Sequence, residues 1–254
     1  MKNFIPLLSL LLIFGFSQEQ HAQHVAGTGF EIGARVAVGP SALWENGITD
    51  SDMHDYALNI GYSFGLAFSM NFDRNNNLIV ETMFANGSQD FNVKERLGAN
   101  VGVNTLDWKT TDLYLLYRRE NRGGYFEIGP KMSFMNSVEQ SITNNPGFQS
   151  EFFEGNLDDF YASNFMSAVF GFGGYFAGSR SFSLGLGLRF EYALTNFTSD
   201  LGTSTGFGYP LPYDSSYEVG NLRNINVYGT IELKIPIGRV AKVRCGERGF
   251  IFGG

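Results

Sequence analysis

The stretch from Ala57 to Met70, ALNIGYSFGLAFSM, decides the fold. Its even positions are Leu58, Ile60, Tyr62, Phe64, Leu66, Phe68 and Met70, and its odd positions are Ala57, Asn59, Gly61, Ser63, Gly65, Ala67 and Ser69. Successive side chains of a strand leave on opposite faces, so this segment has one large apolar face and one small, polar face. Ser181 to Thr195 repeats the pattern, with Phe182, Leu184, Leu186, Leu188, Phe190, Tyr192 and Leu194 against Ser181, Ser183, Gly185, Gly187, Arg189, Glu191 and Ala193. A helical period fits neither stretch.

Six weaker copies flank these two. Gly29–Val38 sets Phe30, Ile32, Ala34, Val36 and Val38 against Glu31 and Arg35. Asn77–Ala85 sets Leu78, Val80, Thr82 and Phe84 against Ile79, Glu81 and Met83. Trp108–Arg118 reads in either register, and placing Leu113, Leu115 and Tyr117 on the apolar face turns Asp112 to the other. Tyr125–Met135 opposes Phe126, Ile128, Pro130, Met132 and Phe134 to Glu127 and Lys131. Asn164–Phe176 and Asn224–Ile237 complete the set, the latter with Glu232 and Lys234 on its polar face.

Side-chain size says which face meets which solvent. A water-soluble sheet protein needs Lys, Glu and Thr on its outer face. Here the polar faces are mostly Gly, Ala and Ser, a poor water-facing surface but a good lining for a narrow barrel. Strand length agrees: thirteen residues at about 3.3 Å each, tilted about 40–45°, span roughly 30 Å, close to the apolar band of an outer-membrane barrel. The expected fold is therefore all-β, an antiparallel up-and-down transmembrane β-barrel of about eight strands.

The connections alternate long and short. Long segments run over about 39–56, 86–103, 136–160 and 196–223, and short turns sit at Asn71–Asn76, Glu120–Gly123 and Ala177–Arg180. Long extracellular loops and short periplasmic turns are the outer-membrane pattern, with both ends of the barrel in the periplasm. Asn144-Asn145-Pro146-Gly147 is a turn signal that fits either an added hairpin between Ser137–Thr143 and Phe148–Phe153 or, the preferred reading, strands extending above the membrane.

At the N-terminus Lys2 precedes the apolar run FIPLLSLLLIFGF (4–16), and Ala22 is a small residue suited to cleavage. This run is shorter than the about 20 apolar residues of a membrane-spanning helix, so residues 1–22 are expected to be a cleavable signal peptide. Residues 23–238 are then the barrel and 239–254 a periplasmic C-terminal tail, an extension trailing the last strand. The only cysteine, Cys245, excludes an internal disulfide, and a net charge of −7 argues against nucleic acid as a partner. Abundant Gly (32) and Phe (25) with only 17% charged residues suit a small-lined barrel with aromatic girdles.

Turning the polar faces inward gathers Glu31, Glu81, Asp112, Glu127, Glu191 and Glu232 with Arg35, Lys131, Arg189 and Lys234. Buried charges must pair, and an eight-stranded barrel is just wide enough to be filled by its own side chains. A structural plug of salt bridges is the expectation, and a narrow conduit the alternative. Chemistry is sparse. His54, among Asp50, Asp52 and Asp55, is a histidine beside carboxylates in a polar loop, and a solvated loop is the simpler reading. Glu151, Glu154, Asp158 and Asp159 have acidic character without EF-hand spacing. Phe148, Phe152, Phe153, Phe160, Tyr209, Tyr213 and Tyr217 place aromatic rings in the long loops, as a contact surface or as loop packing. No catalytic, cofactor-binding or metal-binding residue is assigned.

Segments such as YFEIGPK (125–131), LGLRFEYAL (186–194) and GTIELKIPI (229–237) resemble the PorT-like outer-membrane β-barrel proteins of Bacteroidota. The resemblance covers roughly residues 25–238, departs at the tail, and rests on architectural motifs. It implies an eight-stranded membrane barrel, in a family where one member type assists protein secretion, and it carries over no catalytic residues. The expected protein is non-enzymatic, resides in the cell outer membrane, needs no cofactor, and is a monomer. Its partners are outer-membrane lipid and lipopolysaccharide, with protein partners reached through the long loops. Its role is structural, adhesive or secretion-accessory. The alternatives are a narrow channel or transporter for small solutes or lipids, and an enzyme at the barrel rim acting on lipid A or peptides.

Overall fold

The computed structural model describes residues 28–44, 54–57, 59–73, 75–94, 100–146, 155–179, 181–205, 222–242 and 248–252. The expected leader at 1–22, parts of the long loops and Cys245 lie outside them. Strand β1 (Thr28–Trp44) pairs on one side with β3 (Asn59–Asn71) and on the other with β10 (Arg223–Lys242), and the second pairing closes the sheet. Between them run β4 (Asn76–Lys94), β5 (Asn100–Asn121), β6 (Gly124–Asn144), β8 (Asn164–Gly178) and β9 (Ser183–Ala193), each antiparallel to its neighbours. The result is an eight-stranded, antiparallel up-and-down barrel with no open edge along its main wall, which is how a sheet satisfies its backbone in lipid.

The barrel is inside-out relative to a soluble protein. Leu66 is 70% exposed, Ile60 66% and Val36 54%, while Arg35, Glu81 and Arg118 on the opposite faces are 2%, 0% and 0% exposed. Aromatic rings line the outer wall along its height, and Phe72, Tyr117, Phe126, Phe176 and Phe182 sit at its periplasmic end, where a girdle would meet the headgroups. Water cannot be the solvent for such a wall, and the chain is an outer-membrane barrel.

The turns follow their local chemistry. Between β5 and β6, Arg122 (φ 48°) and Gly123 (φ 85°) both take positive φ, the requirement of the tight hairpin turn that matches strand twist. Between β3 and β4, the Asp73 carboxylate accepts the backbone N–H groups of Asn75 (2.7 Å) and Asn76 (2.9 Å). Those bonds, the one from Asn75 first, hold the Asp73 carboxyl below its ordinary value of 3.8.

Three sequence expectations are revised. Strands β4 and β5 have 19 and 22 residues, so much of the second long segment is ladder continuing above the membrane, while β6, with 21 residues, runs on through Ser137–Thr143 as the preferred reading of the turn at Asn144–Gly147 expects. At about 3.3 Å per residue, a 22-residue strand is about 70 Å long, well beyond the apolar band even when tilted. Short β2 (His54–Ala57) extends this upper sheet by pairing with β4, and β7 (Gly155–Asn156) pairs with β6 at Glu139 and Gln140. At the other end β10 continues to Lys242, and β11 (Arg248–Phe252) pairs back against its Gly238–Lys242, where an unpaired extension was expected. Finally, part of the fourth loop is a short helix, α1 (Asp200–Thr205), whose first turn is capped by Ser199, its Oγ accepting the Gly202 N–H at 3.0 Å.

Candidate functional site in the lumen and the extracellular dome

The period-2 rule places every inward side chain, and the register then stacks the charged ones in tiers. In the middle of the barrel Arg35, Arg118 and Arg189 meet Glu81, Glu127 and Glu232. Arg189 Nη1 donates to Glu81 Oε1 at 2.9 Å, and its Nη2 and Nε donate to Glu127 Oε1 at 2.7 and 3.0 Å. Arg118 Nη2 reaches Glu127 Oε2 at 2.6 Å, and its Nη1 and Nη2 reach Glu232 at 2.5 and 2.8 Å. Arg35 completes the ring through Glu81 (2.9 Å), Glu127 (3.3 Å) and a short contact to Glu232. Three cations and three carboxylates thus neutralise one another, in the planar, forked geometry that arginine provides.

Small residues make room for this cluster. The Tyr125 ring lies beneath the Arg118 guanidinium, 3.9 Å from its centroid. It rests against Gly173 and Gly187, where a Cβ would come within 2.6 and 2.4 Å of Tyr125 atoms. The glycine-rich face seen in the sequence is therefore the cradle of an aromatic ring at this level, rather than an open channel wall.

Below the cluster, Lys234 binds Glu31 (2.8 Å) and Glu120 (3.0 Å), and the Tyr175 hydroxyl donates to Glu120 at 2.6 Å. Above it, Lys131 donates to Glu191 at 2.6 Å and approaches Asp112 at 3.4 Å, with the Tyr114 hydroxyl on Glu191 at 2.8 Å. All ten inward charges named from the sequence lie within these tiers, and the expectation of a salt-bridge plug holds. Arg118 and Glu120 were not named. The signal was present, because both share the even parity of Asp112, but the sequence reading ended the strand at Arg118 and did not carry the inward face through it.

The extracellular end is closed differently, by an apolar core inside the extended strands. Leu43, Phe91, Leu106, Trp108 and Val138 come from the strands, Leu157 and Tyr161 from the third loop, and Phe197 and Leu222 from the fourth. Phe197 is its centre, fully buried, with ring centroids 5.1 Å from Phe165 and 5.5 Å from both Trp108 and Tyr161. Backbone bonds fasten the loops over it: Leu157 N–H to Val138 O (2.9 Å), Ala162 N–H to Phe197 O (3.0 Å) and Phe197 N–H to Leu222 O (2.9 Å). The dome rests on one irregularity, a bulge at Asn136 that switches the inward face of β6 from odd to even positions, so that Val138 and Gln140 point in.

Sequence-level candidates for chemistry disperse. His54 lies on β2 opposite Val93, in a regular ladder rather than a loop. The Asp158 carboxylate accepts Val138 N–H at 2.7 Å and Asn156 Nδ2 at 2.8 Å, so it closes a turn. Phe160 packs against the dome core. Glu151, Glu154, Phe148, Phe152, Phe153, Tyr209, Tyr213 and Tyr217 lie outside the described residues. Among the described residues no three His, Cys, Asp or Glu side chains converge as a metal site.

No family model matches the chain, and no curated protein matches it in sequence. Solved structures similar to the chain include Neisserial surface protein A, at 10% identity and TM-score 0.39, covering 82% of this chain and 98% of that one. Another is the outer membrane protein OprG of Pseudomonas aeruginosa, at 15% identity and TM-score 0.36, covering 84% and 97%. A third is Ail, the attachment invasion locus protein of Yersinia pestis, at 10% identity and TM-score 0.36, covering 83% and 100%. These are likenesses of overall shape. The architecture itself stands on the strand pairing, and the chain is an eight-stranded outer-membrane β-barrel.

Proposed function

We propose that this protein is a closed, non-enzymatic barrel that anchors a rigid extracellular dome, and that the dome is its working surface in adhesion or in assisting secretion. One observation supports this above all: the lumen is filled twice, by paired charges at membrane depth and by the Phe197-centred apolar core above them. A solute pathway has no use for two seals. The long β5–β6 hairpin, in contrast, raises an ordered surface far above the lipid. The outer wall is surrounded by outer-membrane lipid and lipopolysaccharide, protein partners meet the dome, and the closed ring works as a single copy.

Reconstitution into planar lipid bilayers tests the reading against the channel alternative. The purified barrel is expected to give no conductance steps above the protein-free bilayer. Reproducible unitary steps from the wild-type barrel, with a conductance that changes when Arg118 and Glu127 are both replaced, would establish a luminal conduit and remove this proposal.

A further inference from the structure

Charge is balanced in one part of the lumen and unbalanced in two others. The middle cluster holds three arginines and three glutamates. Below it, Lys234 faces two carboxylates, Glu31 and Glu120, whose side chains are 20% and 25% exposed at the periplasmic mouth, so water carries the surplus charge. Above it, Lys131 again faces two carboxylates, Asp112 and Glu191, but here the three side chains are only 3%, 3% and 1% exposed. An uncompensated charge buried that deeply is strongly unfavourable.

A second observation is independent of this count. Both oxygens of Glu191 are partnered: Oε1 accepts Tyr114 Oη–H (2.8 Å), and Oε2 accepts Lys131 Nζ (2.6 Å) and Asn226 Nδ2 (3.2 Å). Among the described residues Asp112 Oδ1 has no hydrogen-bond partner, and neither has the hydroxyl of Ser133, a fully buried residue. Asp112 and Ser133 are direct cross-strand partners on β5 and β6, so both buried side chains project into the lumen at the same level. Buried polar atoms are rarely left unmatched.

We propose that the upper lumen binds one monovalent alkali cation, held by Asp112 Oδ1 and Ser133 Oγ and balancing the second carboxylate against Lys131. Oxygen ligands select a hard cation. A divalent ion would set two positive charges beside the Lys131 ammonium with only two carboxylates to oppose them. The site lies between the apolar dome and the arginine cluster, so an organic ammonium would set its alkyl groups against buried charge. Asn224 Nδ2, also buried and unpartnered, is a donor, and it suits a water accompanying the ion rather than the ion itself.

The test folds the barrel from urea into phospholipid vesicles in equal concentrations of NaCl, KCl or N-methyl-D-glucamine chloride. It reads the urea midpoint, and the alkali metal retained after desalting by atomic emission. Sodium or potassium is expected to raise the midpoint over N-methyl-D-glucamine and to leave one ion per barrel. Asp112→Asn is expected to abolish both effects, whereas Glu31→Gln, at the wet periplasmic mouth, preserves them. Ser133→Ala, which keeps every charge and removes one ligand, is expected to weaken retention at least tenfold, and it decides the matter if Asp112→Asn does not fold. Equal midpoints in all three salts with no retained ion would overturn the proposal in favour of a proton or water. A salt effect that persists unchanged in Asp112→Asn, or retention unaltered by Ser133→Ala, would overturn it equally.

Discussion

Replacing Arg118 with methionine probes whether the middle of the barrel is held by its ion pairs. The guanidinium donates to Glu127 at 2.6 and 3.1 Å, to Glu232 at 2.5 and 2.8 Å and to Tyr175 Oη at 2.9 Å. Without it Glu127 keeps Arg189 and Arg35, but Glu232 keeps only Arg35, and three buried carboxylates share two cations. Removing one partner of a buried pair costs about 3–5 kcal/mol. At about 1.4 kcal/mol per decade, that lowers the folded-to-unfolded ratio roughly a hundred- to several thousand-fold. The double variant Arg118→Met/Glu232→Gln restores two cations to two carboxylates, and replacement of a whole buried pair is often close to neutral. It should therefore recover half or more of the loss, about 2 kcal/mol. Equilibrium urea unfolding in phospholipid vesicles, followed by tryptophan fluorescence and by heat-modifiable gel migration, measures both. The reasoning is refuted if Arg118→Met costs under about 1 kcal/mol, the value of an exposed pair, or if the double variant is no more stable than the single one.

Other consequences are as direct. Gly187→Ala should cost about 1–3 kcal/mol by overpacking, and Tyr125→Phe should relieve part of it, because the added Cβ would meet Tyr125 Oη at 2.4 Å; the urea midpoints of the two single variants and the double variant decide this. Tyr161→Phe should be neutral or stabilising by up to about 1 kcal/mol, since the Tyr161 hydroxyl is buried in the dome without a partner among the described residues and burial alone pushes its pKa up; a loss above that size in the same assay would show that the hydroxyl has a partner. Asp73 has a folded-state pKa below its ordinary 3.8, so its stabilising contribution is complete above that pH and is lost as pH falls through the folded value. The stability gap between wild type and Asp73→Ala should accordingly stay constant at neutral pH and shrink in acid, and a gap that widens on acidification would reverse the sign of the argument.

The barrel was legible because its signal is local. Leu58 to Met70 and Phe182 to Leu194 each declare an apolar face within one strand, and the eight faces need no knowledge of one another. Inward charges were legible as inward, yet their partners were not: Arg35 meets Glu232 across 197 positions, a relation that register alone establishes. Arg118, inside Trp108–Arg118 at the even parity of Asp112, follows from the same rule, whereas Glu120 lies two positions beyond that stretch. The dome was illegible for a different reason. The bulge at Asn136 breaks the parity of β6, and Phe197, Leu157 and Tyr161 come from loops with no period at all, so their convergence on Trp108 and Phe165 is purely tertiary. Strand β11 hid in a similar way, since Arg248–Phe252 is five residues long and pairs only with the end of β10.

The central claim is that the large apolar face meets lipid and the small polar face does not. Tryptophan placed at Leu66, which is 70% exposed on the outer wall, in a background with Trp44 and Trp108 changed to Phe, reads this in vesicles of lipids brominated along their acyl chains. The account predicts strong quenching by the bromines and little by aqueous acrylamide. Quenching by acrylamide with none from brominated lipid would place that face in water and contradict the membrane barrel.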